Sequence, residues 1–456
     1  MHLRDLKDRR VAVWGTGREG IAAAEAIAPH RPARLIAVQD KVTFLATPWE
    51  GHLAEIAPLF VGEEAHRELQ SIDVIVRSPS IAQVNPWIKE MRAKGVKVTG
   101  GTALWMAEHA ARTVGITGSK GKSTTTTLVH QLLTAVGKPN TIGGNIGIAA
   151  LSLPESELYV LELSVYQCAD LEESPRVVAL TSLFPEHLDW SGSESGYYRD
   201  KLNLAMHGAE VIIYNGQDPL LESELRRERA DLPLVATGRT DGFHVAAGPD
   251  GTPWFFRADE PLFARSTLGL VGRHNEGNLC VALGAVQETG VDCVAQRETL
   301  AAALAAFRAL DHRLTPILDP SGLTFVDDSL STIPQSAIHA IEAYADRPLT
   351  VIVGGEDRGV DYGPLRDFLL ASKIEATLIG VPDSGPRILD AVKDVPTIST
   401  MIAADLPEAV RLGRRHTPAD GVVLLSPAAP SYGRFNNFEH RSRVFKEAIE
   451  ATALEG

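Results

Sequence analysis

Over residues 1–100, short continuous apolar runs alternate with segments that have helical spacing of apolar residues. The runs RVAVW (10–14), RLIAV (34–38), DVIVRS (73–78) and VKVTG (96–100) have the pattern of buried strands, and REGIAAAEAIA (18–28) has that of a helix. Short apolar runs that alternate with helical segments predict a parallel sheet covered by helices. The segment TGGTALWMAEHAA (99–111) then leads into a second unit.

A second series of the same kind follows. RTVGIT (112–117), LYVLELS (158–164), VVALTS (177–182) and VIIYN (211–215) predict strands. Residues 235–273 instead combine turn residues with short β-type runs, which predicts a small antiparallel insertion. The helical patterns NEGNLCVALGAVQET (275–289) and RETLAAALAAFRAL (297–310) close this part.

A third series begins near Asp311. Its predicted strands are LTPIL (314–318), LTFVDD (323–328), LTVIVGG (349–355), ATLIG (376–380) and VVLLSP (422–427). Its predicted helices are IPQSAIHAIEAYA (333–345) and EHRSRVFKEAIEAT (439–452). We therefore predict an α/β chain of three domains, each a mostly parallel sheet with flanking helices, at residues 1–99, 100–310 and 311–456.

Composition limits the partners of the chain. Its 456 residues exceed the usual size of one domain, and a formal charge of −14 argues against general affinity for nucleic acid or anionic membranes. Cys168, Cys280 and Cys293 lack zinc-ligand spacing, which predicts free thiols in a reducing compartment. No apolar run reaches membrane-spanning length, and the opening MHLRDLKDRR has no apolar targeting segment. We expect a cytoplasmic protein that does not insert into membranes.

The stretch TVGITGSKGKSTTTTLV (113–129) places a glycine-rich turn between a strand and a helix. Glycines allow several backbone N–H groups to point at one phosphate, and the helix that follows presents its positive end. Lys122 can reach the terminal phosphates of a nucleotide, and the Ser123 hydroxyl can bind Mg²⁺. Ile116 stands where the common Walker pattern has a glycine, so this is a variant loop. We predict a nucleotide site, with an incidental glycine turn as the alternative.

A second glycine motif lies near the start of the chain. Gly15, Gly17 and Gly20 match the dinucleotide fingerprint, and Asp40 lies about twenty residues further on, where a ribose-binding acid is expected. Three interpretations stay open: a nicotinamide dinucleotide, another diphosphate ligand, or a tight structural turn. The rest of the chain favours the diphosphate ligand.

Two polar side chains follow predicted strands of the second series. Glu162 ends the strand in YVLELSVYQC, and His187 follows another strand in TSLFPEHLDW. The carboxyl ends of parallel strands line the ligand crevice, so both side chains could face the phosphate loop. A carboxylate and an imidazole beside Lys122 and Ser123 would suit Mg²⁺-dependent phosphoryl transfer, whereas solvated loop residues are the alternative.

These and further motifs occur in the order found in the Mur ligases, and the chain resembles that family over nearly its whole length. The motifs are GITGSKGKSTTTTLV (115–129), GGNIG (143–147), LELSVYQ (161–167), PEHLDW (185–190), GRHNEGN (272–278), DHR (311–313), FVDDS (325–329) and LLSPAAPSYGRFNNFEHR (424–441). The resemblance is strongest to the class that adds glutamate to UDP-N-acetylmuramoyl-L-alanine in peptidoglycan synthesis.

The resemblance implies a role for each domain. The first domain would bind the UDP part of the muramoyl substrate, the central domain would bind ATP with two Mg²⁺ ions, and the third would bring glutamate and close over ATP. The implied reaction is ATP-dependent amide formation through an acyl phosphate. The partners would be these substrates alone, and a monomer is expected.

The resemblance also assigns site residues by matched position. Lys122, His187 and Lys201 would be catalytic, and Lys201 would be carbamylated. The metal ligands would be Ser123, Glu162, His187 and the carbamate of Lys201. ATP would contact Gly118, Ser119, Lys120, Gly121, Lys122, Ser123, Thr124, Asn275, Asn278, Arg313 and Asp328. The UDP substrate would contact Gly15, Thr16, Gly17, Arg18, Asp40, Asn145, Ser164 and Gln167. Glutamate would contact Thr332, Arg358, Ser431, Tyr432 and Phe438.

Several positions around the implied glutamate site depart from the family pattern. Leu330 and Arg358 stand where lysines are expected, Tyr432 replaces leucine, and Gly433 replaces aspartate. A branch of the family adds L-glutamate rather than D-glutamate, and these departures favour that branch. The alternatives are the same reaction with D-glutamate, a folylpolyglutamate synthetase-like ligase, a nicotinamide-dependent oxidoreductase and a P-loop binding protein.

Overall fold

The computed structural model of the chain describes residues 1–40, 49–186, 188–307 and 312–453. These residues contain four sheets, three of which are mostly parallel and flanked by helices. The predicted α/β class is therefore confirmed. Among the described residues, no helix is both long enough and apolar enough to cross a bilayer.

The first sheet is parallel throughout. Its strands are β1 (Arg10–Trp14), β2 (Arg34–Gln39), β3 (Leu59–Val61), β4 (Val74–Arg77) and β5 (Lys97–Gly100), in the order β3-β2-β1-β4-β5. The helices between them are α1 (Arg18–Ile27), α2 (His52–Ile56), α3 (Glu63–Leu69) and α4 (Pro86–Ala93). Because β1 lies at the centre, the turn after it opens at the carboxyl edge of the sheet, where such folds bind ligands.

The central sheet is also parallel. Helix α5 (Gly101–His109) leads into β6 (Thr113–Thr117), and the remaining strands and helices follow along the chain. They are α6 (Lys122–Ala135), β7 (Thr141–Gly144), β8 (Tyr159–Glu162), α7 (Val165–Cys168), β9 (Val177–Leu180), α8 (Leu188–Ser191), α9 (Glu194–Leu202), β10 (Val211–Asn215), α10 (Leu221–Glu228) and β11 (Leu234–Thr237). The strand order is β11-β10-β9-β6-β8-β7, which places β6 and β8 side by side.

A three-stranded antiparallel sheet follows, as predicted. It consists of β12 (Phe243–Ala247), β13 (Pro253–Arg257) and β14 (Glu260–Ala264). It starts later than predicted, because residues 234–237 form β11 and pair in parallel with β10. Helices α11 (His274–Glu288) and α12 (Arg297–Ala306) come next.

The last sheet has the order β15-β16-β20-β17-β18-β19, and only its first pair of strands is antiparallel. Its strands are β15 (Thr315–Leu318), β16 (Thr324–Asp327), β17 (Leu349–Val353), β18 (Ala376–Gly380), β19 (Ile398–Ile402) and β20 (Val422–Leu425). Its helices are α13 (Pro334–Ala343), α14 (Gly363–Ser372), α15 (Gly385–Val392), α16 (Leu406–His416) and α17 (Phe438–Ala453).

The chain divides into two compact units. The first contains Met1–Leu268 and Glu276–Ala306, and the second contains Gly269–Asn275 and Phe307–Gly456. The first and central sheets thus share one unit. The predicted three-domain division stays a prediction, and its boundary between residues 310 and 311 lies outside the described residues. All three cysteines are buried free thiols in the first unit.

Candidate active site

The glycine-rich loop joins β6 to α6 at the carboxyl edge of the central sheet. Gly121 caps α6 with a φ of 87°, in the left-handed region that favours glycine. A Cβ atom there would lie 2.2 Å from Oδ1 of Asn278, so a side chain at this position would force Asn278 to shift. The loop is anchored to the end of β9, because Ser182 accepts hydrogen bonds from the backbone N–H groups of Ser119 (2.8 Å) and Lys120 (2.9 Å).

Lys122 is the first residue of α6. Its Nζ donates to the carbonyl oxygens of Gly118 and Ser119, each at 2.9 Å, so the ammonium lies over the loop. The side chain of Lys120 instead pairs with Glu186 at 2.8 Å. A cation above the amino end of a helix is a favourable place for an anion, because the charge and the helix dipole act together.

Glu162 ends β8 opposite Ile116 of β6, which places its carboxylate beside the strand that leads into the loop. The side chain is buried, and its Oε1 accepts a hydrogen bond from Nδ2 of Asn145 at 2.6 Å. Within the described part of the chain, its buried Oε2 has no hydrogen-bond partner. A buried carboxylate oxygen without a partner is costly unless a cation or a donor completes its shell.

Glu162 and the Ser123 hydroxyl are oxygen donors of the kind that Mg²⁺ prefers, so this chemistry fits the expected ion. The described residues contain no cluster of three or more histidine, cysteine or acidic side chains that could hold a metal. His187, the other predicted ligand of the ions, lies outside the described residues.

Lys201 lies in α9 with only 2% of its surface exposed. Its Nζ donates to the carbonyl oxygen of Gly118 at 2.9 Å and lies 5.0 Å from the centre of the Tyr197 ring. Burial lowers the pKa of Lys201 to about 7, and the nearby charge of Lys122 acts in the same direction. A buried lysine with such a pKa has a substantial fraction of neutral amine near pH 7, and the neutral amine is the nucleophilic form.

A cavity of about 650 Å³ opens at the carboxyl edge of the first sheet, and we refer to it as the Gly15 cavity. It is lined by Gly15, Thr16, Gly17, Arg18, Glu19, Gln39, Asp40, Ser78, Pro79, Ser80, Ile81, Asn145, Tyr166 and Gln167. All predicted UDP-substrate residues except Ser164 therefore line one cavity. The side chain of Ser164 accepts from the N–H of Gln167 at 3.3 Å and caps α7.

Elements of both sheets meet around this cavity. Arg18 donates to the carbonyl oxygens of Gly147 and Asn145, the latter at 3.3 Å. Glu19 accepts from Nε2 of Gln167 at 3.4 Å, and burial raises the pKa of its carboxyl. The predicted residues of this site do not include Ser78–Ile81, although the segment lies at the end of a predicted strand and therefore at the carboxyl edge of the sheet.

The second unit has a buried polar network after β16. Burial raises the pKa of Asp328 to about 7, and Ser426 donates to its Oδ2 at 2.8 Å. Burial also opposes ionisation of Asp327, but hydrogen bonds from Ser329, Ser442 and His312 outweigh it and lower the pKa of that carboxyl.

The predicted ATP-binding residues divide between the units. Gly118–Thr124 and Asn278 belong to the first unit, and Asn275, Arg313 and Asp328 belong to the second. Asn275 donates through Nδ2 to the carbonyl oxygen of Val271 at 2.7 Å. Arg313 is half-buried, and its positive charge favours the ionised form of Asp328.

Two of the predicted glutamate-binding residues lie together. The guanidinium carbon of Arg358 is 5.9 Å from the centre of the Tyr432 ring, and its Nε donates to Oε2 of Glu356 at 2.7 Å. Both side chains are largely exposed, whereas Ser431 is buried and Thr332 is half-buried. Phe438 packs edge-on against His312, with ring centres 5.5 Å apart.

Known proteins provide an independent comparison. A family model described as the Mur ligase middle domain matches residues 116–286. A UDP-N-acetylmuramoyl-L-alanine--L-glutamate ligase from a Micromonospora strain is 60% identical over 99% of this chain and 99% of its own. A relative of the same name from Salinispora tropica is also 60% identical, over 99% of this chain and 100% of its own.

The fold itself is found in solved structures. The UDP-N-acetylmuramate-alanine ligase of Thermotoga maritima superposes with a TM-score of 0.59 at 18% identity and covers 97% of this chain and 100% of that one. At this identity the likeness concerns the arrangement of sheets and helices alone.

Proposed function

Because the chain belongs to the Mur ligase family, we propose that it uses ATP to join glutamate to UDP-N-acetylmuramoyl-L-alanine in peptidoglycan precursor synthesis. We further propose a separate role for each of its three mostly parallel sheets. The Gly15 cavity takes the UDP substrate, the loop Gly118–Thr124 takes the ATP phosphates, and residues 311–456 supply the glutamate site. The place of action would be the cytoplasm.

One observation carries this proposal. Asn145 lines the Gly15 cavity, and its side chain donates to Glu162, whose free oxygen lies at the phosphate-loop edge of the central sheet. A single hydrogen bond of 2.6 Å thus joins the proposed acyl-donor cavity to the proposed metal and ATP site. Amide formation requires this proximity, because the substrate carboxylate must reach the γ-phosphorus of ATP.

The reaction would proceed in two steps. An oxygen of the alanyl carboxylate attacks the γ-phosphorus, the bond to ADP breaks, and an acyl phosphate forms. The amine of glutamate then attacks the acyl carbon, loses a proton and expels inorganic phosphate. Lys122, held over the loop by two carbonyl oxygens, would turn to the terminal phosphates and stabilise the charge that develops there.

Mg²⁺ is the cofactor that this site fits. Ser123 and the free Oε2 of Glu162 would hold one ion, which would neutralise phosphate charge when bound. The expected second ion would use Glu162 together with His187, which lies outside the described residues, and the carbamate of Lys201.

The proposed carbamate would form by addition of CO₂ to the side-chain amine of Lys201. The nitrogen lone pair of the neutral amine attacks the carbon of CO₂, the new N–C bond forms, and one amine proton leaves to solvent. The product carries a negative charge where lysine had a positive one. A pKa of about 7 makes the neutral amine abundant, and burial protects the adduct from water.

L-glutamate is the proposed amino acid. The two relatives at 60% identity carry L-glutamate in their names. In this chain Arg358 and Tyr432 lie together at positions where the D-glutamate class has lysine and leucine. An arginine fork grips a carboxylate through two hydrogen bonds, which sets a different geometry from the point charge of lysine.

The test is release of phosphate from ATP in the presence of UDP-N-acetylmuramoyl-L-alanine and each glutamate enantiomer. We expect release only when all three substrates are present, and a kcat/KM for L-glutamate at least about 100-fold above that for D-glutamate. Release without the muramoyl substrate, or none at all, would reject the ligase. A D-glutamate value equal to or above the L-glutamate value would reject only the stereochemistry.

A further inference from the structure

Arg77 is the last residue of β4, and its side chain is completely buried, which is uncommon for a guanidinium. The segment after it, Ser78–Ile81, forms part of the wall of the Gly15 cavity. Nη1 of Arg77 donates to the carbonyl oxygens of Ile81 (2.6 Å) and Pro79 (3.4 Å). The guanidinium therefore holds this part of the wall from behind, outside the cavity.

The same guanidinium also holds the part of the wall that comes from the central sheet. Nη2 donates to the carbonyl oxygen of Tyr166 at 3.2 Å, and Tyr166 lines the cavity. Asp170 lies two residues beyond α7 and pairs with both Nε (3.2 Å) and Nη2 (2.6 Å). Two parallel bonds between a guanidinium and a carboxylate fix the orientation of the pair as well as its distance.

The surroundings of the pair restrict its movement further. Trp190 lies with its ring centre 5.1 Å from the guanidinium carbon of Arg77 and 4.9 Å from the ring centre of Tyr166. Gln83 donates to Oδ1 of Asp170 at 2.7 Å. The Asp170 side chain is itself only 6% exposed, so salt in the solvent screens the pair weakly.

We infer that Arg77 is a positioning residue that sets the spacing between the Ser78–Ile81 and Tyr166 walls of the Gly15 cavity and so controls binding of the UDP substrate. This inference rests on the proposed function of that cavity. Arg77 does not line the cavity, and it acts only through the backbone carbonyls and the carboxylate that it joins.

Arg77→Lys is the informative change, because it keeps the charge and loses the planar fork. One ammonium cannot serve Ile81, Tyr166 and Asp170 in the directions that three guanidinium nitrogens do. We expect the KM for UDP-N-acetylmuramoyl-L-alanine to rise about ten-fold, with kcat at saturation and the KM values for ATP and glutamate within about two-fold of wild type.

Arg414→Lys is the matched control. Arg414 forms a similar forked pair with the buried Asp319, at 2.7 and 2.8 Å, within the second unit. Both variants lose a guanidinium–carboxylate fork, but only Arg77 contacts the cavity wall. Arg414→Lys should therefore leave the KM for the UDP substrate unchanged.

If Arg77→Lys does not fold, a milder variant still tests the inference. Gln83→Ala removes one hydrogen bond to Asp170 and neither charge, and it should raise the same KM about two-fold. The inference is overturned if the folded Arg77→Lys protein has an unchanged KM for the UDP substrate, or if all three KM values change equally. If Arg77→Lys is insoluble, an unchanged KM for the UDP substrate in Gln83→Ala overturns it. Each of these results leaves wild-type turnover intact and is thus distinct from failure of the proposed ligase.

Discussion

Replacing Lys201 by methionine should change how stability depends on pH. The folded pKa of Lys201 is about 7, against 10.5 for an ordinary lysine. Between these values the unfolded chain binds a proton at Lys201 that the folded chain does not, so the contribution of Lys201 to the free energy of unfolding rises by about 1.4 kcal/mol per pH unit. The difference between the two pKa values corresponds to a loss of about 5 kcal/mol in the free energy of unfolding, caused by the buried charged amine. The whole loss is present below pH 7, and none of it remains above the pKa of the unfolded chain.

Lys201→Met has no such group. We expect the free energy of unfolding of Lys201→Met, minus that of wild type, to fall by about 2 to 3 kcal/mol between about pH 7.5 and about pH 9.5. The hydrogen bond lost with Gly118 offsets the difference by a constant amount and does not alter this change. The measurement is urea unfolding of metal-free protein in buffers freed of CO₂, since a carbamate would remove the titrating amine.

The control is Lys89→Met, which removes an exposed lysine from α4. Its difference from wild type should be the same at both pH values. If the Lys201→Met difference is equally constant, the amine does not titrate in the folded protein as its burial requires, and the argument for a neutral nucleophile fails. If the difference falls as expected, supplying ¹³C-bicarbonate to wild type should add a carbamate ¹³C resonance that Lys201→Met lacks.

Three further predictions concern the loop and the glutamate site. Lys122→Ala should lower kcat about 100- to 1,000-fold or more while calorimetric binding of UDP-N-acetylmuramoyl-L-alanine survives, and near wild-type phosphate release would remove its role at ATP. Gly121→Ala places a Cβ atom at a φ of 87° and 2.2 Å from Asn278, whereas Gly137→Ala has a φ of 73° and open space around it. Backbone strain costs each variant about 1–2 kcal/mol, so the free energy of unfolding should fall further in Gly121→Ala. Equal losses of the two variants in urea unfolding would show that the contact with Asn278 costs nothing. Arg358→Lys should raise the KM for glutamate about ten-fold and leave the KM for ATP unchanged. The control is Arg387→Lys, since Arg387 pairs with Asp357. An equal rise in the KM for glutamate in the control would argue against a specific role of Arg358.

Local chemistry explains which parts of the fold were predictable from sequence. Strands such as Val11–Trp14 and Leu349–Val353 are buried on both faces and therefore appear as continuous apolar runs. The strands β3, β7, β11 and β19 were not predicted. The first has three residues, TIGG in β7 contains two glycines of low strand propensity, and β19 is a half-exposed edge strand. Each of the four pairs with the strand directly before or after it along the chain, and this pairing, rather than a local apolar run, defines the strand.

The candidate site also has features that the sequence predicts and contacts that it does not. The glycine turn and Lys122 directly follow β6, and Glu162 ends β8, so topology alone predicted that they would share one edge of the sheet. Neither spacing nor composition indicates that Asn145 joins Glu162 to the Gly15 cavity, or that Arg77 contacts Asp170, 93 residues away. The first contact depends on the pairing of β7 with β8, and the second on how the residues after α7 meet the end of β4 in the folded chain.

The buried cysteines have a practical consequence for labelling. Burial raises the pKa of the Cys168 thiol to about 11 and those of Cys280 and Cys293 to about 12. Because the thiolate is the reactive form, native thiols that are both buried and protonated will react slowly with maleimides. Leu318→Cys would place a thiol at a position whose native side chain is 85% exposed, and that thiol would be the fast-reacting one. The chain can thus carry a fluorophore at one chosen site without first losing its own cysteines.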